Sequence, residues 1–216
     1  MNWALTFFQK NRFLSRVFFT FGVFGAVIIL YGTFFDNTSD DVELSLLSSG
    51  LSQDVITQSL RRNTDKDSSK RFLDFPQKTS ILNQVYPGEE DWRGVSVHAG
   101  GESYFYPFDT ISPYEVINDT IAGQPILIAY CTNCETAVIA DRVIDGQELF
   151  FEATDTLWED SLIMVARGDE PRFWQQASGK ELTTFDPANL VFLPFDITSF
   201  AQYRAKYPTG KLMINP

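Results

Sequence analysis

Residues 125–151 read PILIAYCTNCETAVIADRVIDGQELFF, and they carry the clearest structural pattern in the chain. The continuous apolar run at 125–130 is typical of a strand that is buried on both faces. Asp145-Gly146 stands between the apolar runs 138–140 and 149–151, and Asp-Gly in that setting is the strongest short-range signal for a β-hairpin. These residues therefore predict a sheet with a buried central strand.

The same kind of pattern continues on both sides of this stretch. Apolar runs flank Gly100-Gly101, and others flank Gly168-Asp169, which predicts two further hairpins. Asp196 or Thr198 is placed to cap a last helix that ends at Pro208. The sequence thus predicts a mainly β (α+β) fold, in which a β-rich domain of hairpins with a few short helices follows a single transmembrane helix.

The N-terminus has a different composition from the rest. Residues 1–35 contain no acid, and residues 17–35 (VFFTFGVFGAVIILYGTFF) contain no charged residue. A helix of that length spans about 28 Å, close to the hydrocarbon thickness of a bilayer. We therefore expect a basic cytoplasmic segment at 1–16 and a transmembrane helix at 17–35. A cleavable signal peptide is the alternative, but the stretch is long for one and offers no convincing small-x-small cleavage site.

The flanking charges set the orientation of the predicted span. Bases precede it and acids follow it, so the positive-inside rule keeps the N-terminus in the cytoplasm and exports the rest of the chain. Within the span, Gly22, Gly25 and Ala26 give the small-residue spacing through which two helices approach closely in lipid. Gly and Ala are common in spans, so a lipid-exposed anchor and packing of these three residues against other membrane subunits both stay open.

The exported part divides into two regions. Residues 36–70 are polar, with apolar residues near helical spacing interrupted by Gly50, which predicts a stalk or linker with two short helices. Such helices could also lie against the domain or a partner. The β-rich domain is predicted at 71–216.

Charge excludes one class of partner. Lys10, Arg12 and Arg16 precede the span, which leaves fourteen bases against twenty-eight acids in the exported part, a formal net charge near −14. Binding to the phosphate backbone needs clustered Lys and Arg, so we expect no binding to nucleic acid.

Cys131 and Cys134 are the residues that most suggest chemistry. In an oxidising compartment they could form a structural disulfide or a redox-active one, and they could also stay reduced in a core. A strand followed by Cys-x-x-Cys is the arrangement of thioredoxin-like enzymes. Glu135, directly after Cys134, opposes formation of a thiolate.

A metal site is a further hypothesis for the same pair. Two thiolates suit copper(I) or zinc, with His98 or Met164 as speculative additional ligands. A closed zinc site needs four ligands, however, and the chain has two Cys and one His. We therefore expect no cofactor, with copper or zinc at the cysteine pair as the alternative.

Several short motifs follow one another in a characteristic order: Ile117-Asn118-Asp119, Gly123-Gln124-Pro125, Tyr130-Cys131-x-x-Cys134, Asp141-Arg142, Asp145-Gly146, Trp174-Gln175-Gln176 and Gly179. In this order the chain resembles a group of exported bacterial proteins, domain of unknown function family 3179, across residues 95–212. The resemblance implies a bacterial domain close to the inner membrane, on its periplasmic or exported side, with no agreed activity.

Two positions depart from the family pattern. Tyr114 stands before Glu115 where the family commonly has His, and Glu135 follows Cys134 where the family usually has Gly. Any activity that depends on those two groups is put in question by these departures.

Two functional hypotheses follow. The first is a non-catalytic accessory or structural subunit that docks on a membrane protein complex through the span and the stalk. The second is a thiol-redox or metal-handling protein that acts at Cys131 and Cys134. The first accounts for more of the chain, and the sequence lacks the motifs of a Ser-His hydrolase or a phosphate-binding loop. An enzyme is therefore the less favoured reading.

Overall fold

Strands outnumber helices in the computed structural model, which describes residues 38–62, 71–88, 92–168, 171–184 and 186–214. Its helices are α1 (Thr38–Ser48), α2 (Gln53–Ser59), α3 (Phe108–Ile111) and α4 (Phe200–Lys206). Its strands are β1 (Leu60–Arg62), β2 (Leu73–Asp74), β3 (Lys78–Ser80), β4 (Arg93–Ala99), β5 (Glu102–Pro107), β6 (Val116–Ile121), β7 (Gln124–Cys131), β8 (Thr136–Asp141), β9 (Val143–Ile144), β10 (Gln147–Glu148), β11 (Phe151–Trp158), β12 (Ser161–Ala166), β13 (Arg172–Gln175), β14 (Asp196–Ser199) and β15 (Lys211–Met213).

Three sheets lie on top of one another. The central sheet has the order β2-β6-β7-β8, the first outer sheet β1-β11-β12-β13, and the second outer sheet β14-β4-β5-β15-β3. Strands β9 and β10 form a separate two-stranded ribbon. Most neighbours are antiparallel, but β2 runs parallel to β6 and β15 parallel to β5.

Alternation along β7 explains the stacking. Successive side chains of a strand point to opposite faces of its sheet. Leu127 and Ala129 pack in the apolar cluster shared with the first outer sheet, whereas Ile126 and Ile128 pack in the cluster shared with the second. All four side chains are fully buried. The prediction of a buried central strand at 125–130 is thus confirmed.

Helices cover the outer faces of both outer sheets. Val42, Leu46 and Ile56 of α1 and α2 pack against Trp158 and Phe173 of the first outer sheet. On the other side of the domain, a cluster of aromatic and aliphatic residues joins α4 to the second outer sheet: Ile81, Phe105, Phe200, Tyr203 and Leu212. The fold is therefore mainly β with a few short helices, as predicted.

The turn predictions have mixed outcomes. Gly100 and Gly101 have positive φ and join β4 to β5, so that hairpin is confirmed. Asp145 and Gly146, with φ of 53° and 77°, make the predicted two-residue turn, but it joins only the short strands β9 and β10. The longer strands on either side, β8 and β11, do not pair with each other, because each finds its partner in a different sheet.

The cap of the last helix was predicted wrongly. Asp196 and Thr198 lie in β14, and the N-cap of α4 is Ser199. The hydroxyl of Ser199 accepts a hydrogen bond from the backbone N–H of Gln202, whose side chain accepts one from the backbone N–H of Ser199. This reciprocal pair is a capping box.

The two helices expected within residues 36–70 are present, as α1 and α2. They pack against the first outer sheet, and β1 adds a strand to that sheet beside β11, so this part of the chain lies against the β-rich domain. Residues 39–216 accordingly form one compact unit.

The predicted span lies outside the described residues, as do Gly22, Gly25, Ala26 and segment 1–16. Among the residues that the structure describes, no helix is both long enough and apolar enough to cross a membrane.

Candidate functional site

Cys131 and Cys134 are joined by a disulfide in the hairpin loop between β7 and β8. Their Cα atoms are 5.2 Å apart. Cys131 is the last residue of β7 and is fully buried, whereas Cys134 is only partly buried. The backbone N–H of Cys134 approaches Sγ of Cys131 at 3.1 Å. The two cysteines therefore differ in their exposure to solvent.

Glu115, which directly precedes the neighbouring strand β6, holds the start of this loop. It is 2% exposed, and its Oε1 accepts a hydrogen bond from the backbone N–H of Thr132 at 3.2 Å. Its backbone carbonyl accepts another from the N–H of Tyr130 at 2.8 Å. A buried carboxyl group is thus bonded to the residue that follows Cys131.

Two glutamates of this region adopt the left-handed backbone conformation. The φ angles of Glu115 and Glu135 are 60° and 51°. Non-glycine residues in this conformation are strained, and such residues are concentrated at functional sites and tight turns. Burial, and then the charges of Glu135 and Asp109, raise the pKa of the nearby Tyr130 above its ordinary value.

Gln176 fastens the cysteine hairpin to the first outer sheet. Its Nε2 donates hydrogen bonds to the backbone carbonyls of Ala129 and Thr136, each at 3.0 Å. The hydroxyl of Thr136 donates to Oε1 of Gln176 at 3.3 Å. Gln176 is fully buried, so these bonds satisfy an amide that has no access to water.

The structure does not bring His98 to the cysteines. His98 lies on β4 in the second outer sheet, where its Nδ1 is 2.8 Å from the Ser103 hydroxyl and its ring stacks on Tyr207. Met164 is buried in the apolar cluster that also contains Cys131. Within the described ranges, no three His, Cys, Asp or Glu residues are grouped so that they could hold a metal ion. As a disulfide, the cysteine pair also offers no thiolate ligand.

Asn118 is a polar residue whose role is not apparent from the sequence. It is fully buried on β6. Its amide exchanges two hydrogen bonds with the backbone of Phe151, each at 2.8 Å, and donates a third to Asp74 at 2.9 Å. Asn118 thus connects the central sheet to the first outer sheet.

Arg142 is fully buried next to the end of β8, and its guanidinium is bonded on every side. It donates to the backbone carbonyls of Ile126, Leu149 and Asp119 and to the carboxylate of Glu148, at 2.7–3.1 Å. Burial lowers the pKa of Arg142, and the charge of Glu148 opposes that shift. An isolated arginine next to an apolar strand is the sequence signal that could have identified this structural role.

Asp119 makes the corresponding connection to the second outer sheet. Its carboxylate accepts hydrogen bonds from the Tyr106 hydroxyl at 2.7 Å and from Lys78 Nζ at 2.5 Å. Burial, and then the charge of Asp119, raise the pKa of Tyr106 well above its ordinary value.

One comparison with known proteins gives a result. The sequence profile of the family described as "Protein of unknown function (DUF3179)" matches residues 73–216. The chain belongs to the DUF3179 family. Neither a curated protein nor a solved structure matches the chain at a significant level.

The DUF3179 match confirms the resemblance seen in the sequence and extends it from residue 95 back to residue 73. It begins at β2, so it includes the whole central sheet and the whole second outer sheet, and it leaves out α1, α2 and β1. The two positions at which a departure from the family pattern is expected border the cysteine hairpin, because Glu135 lies in its loop and Tyr114 precedes the glutamate that holds it.

Proposed function

We propose that this DUF3179 protein is a membrane-anchored, exported, non-catalytic subunit that docks on a protein complex of the bacterial inner membrane. One observation carries the non-catalytic part of the proposal. The polar residues shared with the family pattern, Asn118, Asp119 and Arg142, are buried and bonded within the fold. Side chains used in this way stabilise the packing of three sheets and are not available to a substrate.

The anchor supplies the location. In the proposed arrangement residues 17–35 span the bilayer, the N-terminus is cytoplasmic and the β-rich domain is periplasmic. Helices α1 and α2, which the sequence predicts as part of a stalk or linker, pack on the first outer sheet of the domain.

The negative net charge of the exported part favours a basic partner. The exported part carries a formal charge near −14, since only fourteen of the seventeen bases follow the proposed span. A surface of this sign attracts basic surfaces and repels anionic lipid headgroups and nucleic acid. We therefore propose contact with membrane subunits through the anchor and with a basic exported surface through the domain.

Gentle detergent extraction of the tagged, full-length protein, followed by mass spectrometry of what stays bound, tests the proposal. We expect integral membrane subunits in a fixed ratio. Gly22→Leu and Ala26→Leu should reduce their recovery, because larger side chains keep the helices apart. Phe24→Leu, in the same span, is the matched control and should leave recovery unchanged. Recovery of the chain alone would contradict the proposal.

A second candidate function is thiol-disulfide exchange, and it is favoured by the unequal burial of the two cysteines. In this reaction a thiolate of a partner protein attacks Sγ of Cys134, the Sγ–Sγ bond breaks, and Cys131 leaves as a thiolate that takes up a proton. A second partner thiol then resolves the mixed disulfide, so the partner is oxidised and the pair is reduced by two electrons.

A redox titration of the full-length protein against glutathione separates the two functions. A reversible couple above the range of structural disulfides would support exchange. A bond that resists strong reductant until the domain unfolds would leave only the structural role. Copper(I) or zinc binding would first need the reduced pair, and a metal titration of the reduced protein tests it.

A further inference from the structure

A cleft of about 310 Å³ opens where two parallel strands of the second outer sheet separate. The β5–β15 pairing ends at Phe105 and Leu212. Pro107, the last residue of β5, has no N–H with which to extend the ladder. The cleft is lined by Tyr86, Trp92, Arg93, Pro107, Asp109, Thr110, Leu212, Met213 and Ile214. Its volume falls at the lower end of the range for small-molecule sites.

Aromatic rings form one wall of this cleft. The ring centroids of Tyr86 and Trp92 are 5.7 Å apart. Both rings also pack on the fully buried Phe200 of α4, at 5.6 Å and 5.5 Å. Because Phe200 supports both rings, the wall is held in place before any ligand arrives, and pre-organisation of this kind favours binding.

Two side chains of opposite charge lie at the cleft. Gly94 pairs with Pro107, so Arg93 and Asp109 come to the same end of the β4–β5 ladder. Both are exposed, and within the described part of the chain neither side chain makes a hydrogen bond or an ion pair. Arg142, by contrast, is bonded on every side within the fold.

We propose that this cleft binds a small zwitterion with an apolar side group, of which an α-amino acid is the simplest example. The guanidinium of Arg93 would receive the carboxylate, which is the pairing that its planar donors favour. Asp109 would receive the ammonium group, and the side group would lie against Trp92 and Met213. A purely anionic ligand would be repelled by Asp109 and a purely cationic ligand by Arg93, whereas a zwitterion is complementary to both residues.

Calorimetric titration of the full-length protein in a non-ionic detergent tests this site, with L-phenylalanine as the probe. L-phenylalanine amide lacks the carboxylate, and N-acetyl-L-phenylalanine lacks the ammonium group. We expect one equivalent of L-phenylalanine to bind, and each derivative to bind about tenfold more weakly, the effect of losing one charge-assisted contact.

Two variants show which residue binds the carboxylate of the ligand and which binds its ammonium group. In Arg93→Gln, L-phenylalanine and its amide should bind equally well, and in Asp109→Asn L-phenylalanine and its N-acetyl derivative should do so. Lys206→Gln removes an exposed charge outside the cleft and should leave all three affinities unchanged.

The ligand series on the unaltered protein keeps the test independent of how the variants fold. Absence of saturable binding up to about 10 mM, which corresponds to a negligible affinity, would overturn the proposal. Equal affinities for the three ligands would overturn it as well. The inference does not depend on the proposed docking function, because it rests only on the residues that line the cleft.

Discussion

Asn118 and Asp119 are neighbours on β6, and their side chains bond to opposite layers of the domain. The Asn118 amide bonds to the backbone of Phe151 in the first outer sheet. The Asp119 carboxylate accepts a hydrogen bond from Tyr106 in the second outer sheet. This follows from the alternation of side chains along a strand, which places adjacent residues on opposite faces. Two consecutive polar residues thus connect all three sheets.

Asn118→Ala should lower the free energy of unfolding by about 3 kcal/mol, because it leaves the buried N–H and C=O of Phe151 without partners. Urea unfolding of the full-length protein in detergent measures the change. Asn189→Ala is the matched control, since Asn189 is exposed, and it should change stability by less than about 0.5 kcal/mol. Equal stabilities of the two variants would contradict the role assigned to Asn118.

Tyr106 predicts a loss of stability at alkaline pH. Its pKa is raised in the folded protein, so its contribution is fully present below the ordinary tyrosine pKa of 10.0 and is lost as pH rises above that value. In this window the unfolded chain releases the proton that the folded chain retains. Each such tyrosine lowers the free energy of unfolding by about 1.4 kcal/mol per pH unit.

Tyr106→Phe should therefore make the alkaline slope shallower while lowering stability near neutral pH, where Asp119 loses a hydrogen-bond donor. Burial also raises the pKa of Tyr203 and Tyr104, so part of the slope should remain. Thermal unfolding between pH 8 and pH 11 measures both effects. Tyr207→Phe, at a partly buried position, is the control, and an equal change of slope in both variants would count against Tyr106.

Local patterns in the sequence predicted the elements better than their arrangement. The run at 125–130 identified the central strand because burial on both faces removes polar residues from a strand. The turn at Asp145-Gly146 was also correct, since two positive φ angles are a local property of those residues. That β8 and β11 join different sheets depends on long-range pairing, which no short-range pattern encodes.

The candidate site was predictable only in part. Cys131 and Cys134 were identified, and their disulfide was one of the alternatives left open. Glu115, just before β6, and Gln176, just after β13, converge on the same hairpin, and only the fold brings them there. Nothing in the sequence around His98 indicated that it would lie in a different sheet from the cysteines. Arg93 and Asp109 meet at one cleft only because β4 pairs with β5.

Reduction of the cysteine pair should lower the free energy of unfolding by about 2 kcal/mol, the value expected for so short a closed loop. Urea unfolding with and without a strong reductant measures this without changing the volume of any side chain. The double variant Cys131→Ala, Cys134→Ala should show no dependence on the reductant. Thr132→Ala, in the same loop, should keep the full dependence of its stability on the reductant. If Thr132→Ala lost that dependence, the disulfide would not be the group that causes it.

Ser199→Ala and Ser52→Ala separate the contribution of a capping side chain from that of its position. Both serines occupy the N-cap of a seven-residue helix. Only Ser199 accepts a hydrogen bond from the helix, whereas Ser52 makes no side-chain cap bond. Ser199→Ala should therefore lower stability by about 1 kcal/mol, and Ser52→Ala by only a few tenths of that. Urea unfolding of the two variants beside the unaltered protein measures both changes.

Because α4 also supports the aromatic wall of the cleft, Ser199→Ala should in addition weaken binding of L-phenylalanine. Equal losses of stability in the two variants would show that the capping bond contributes nothing of its own.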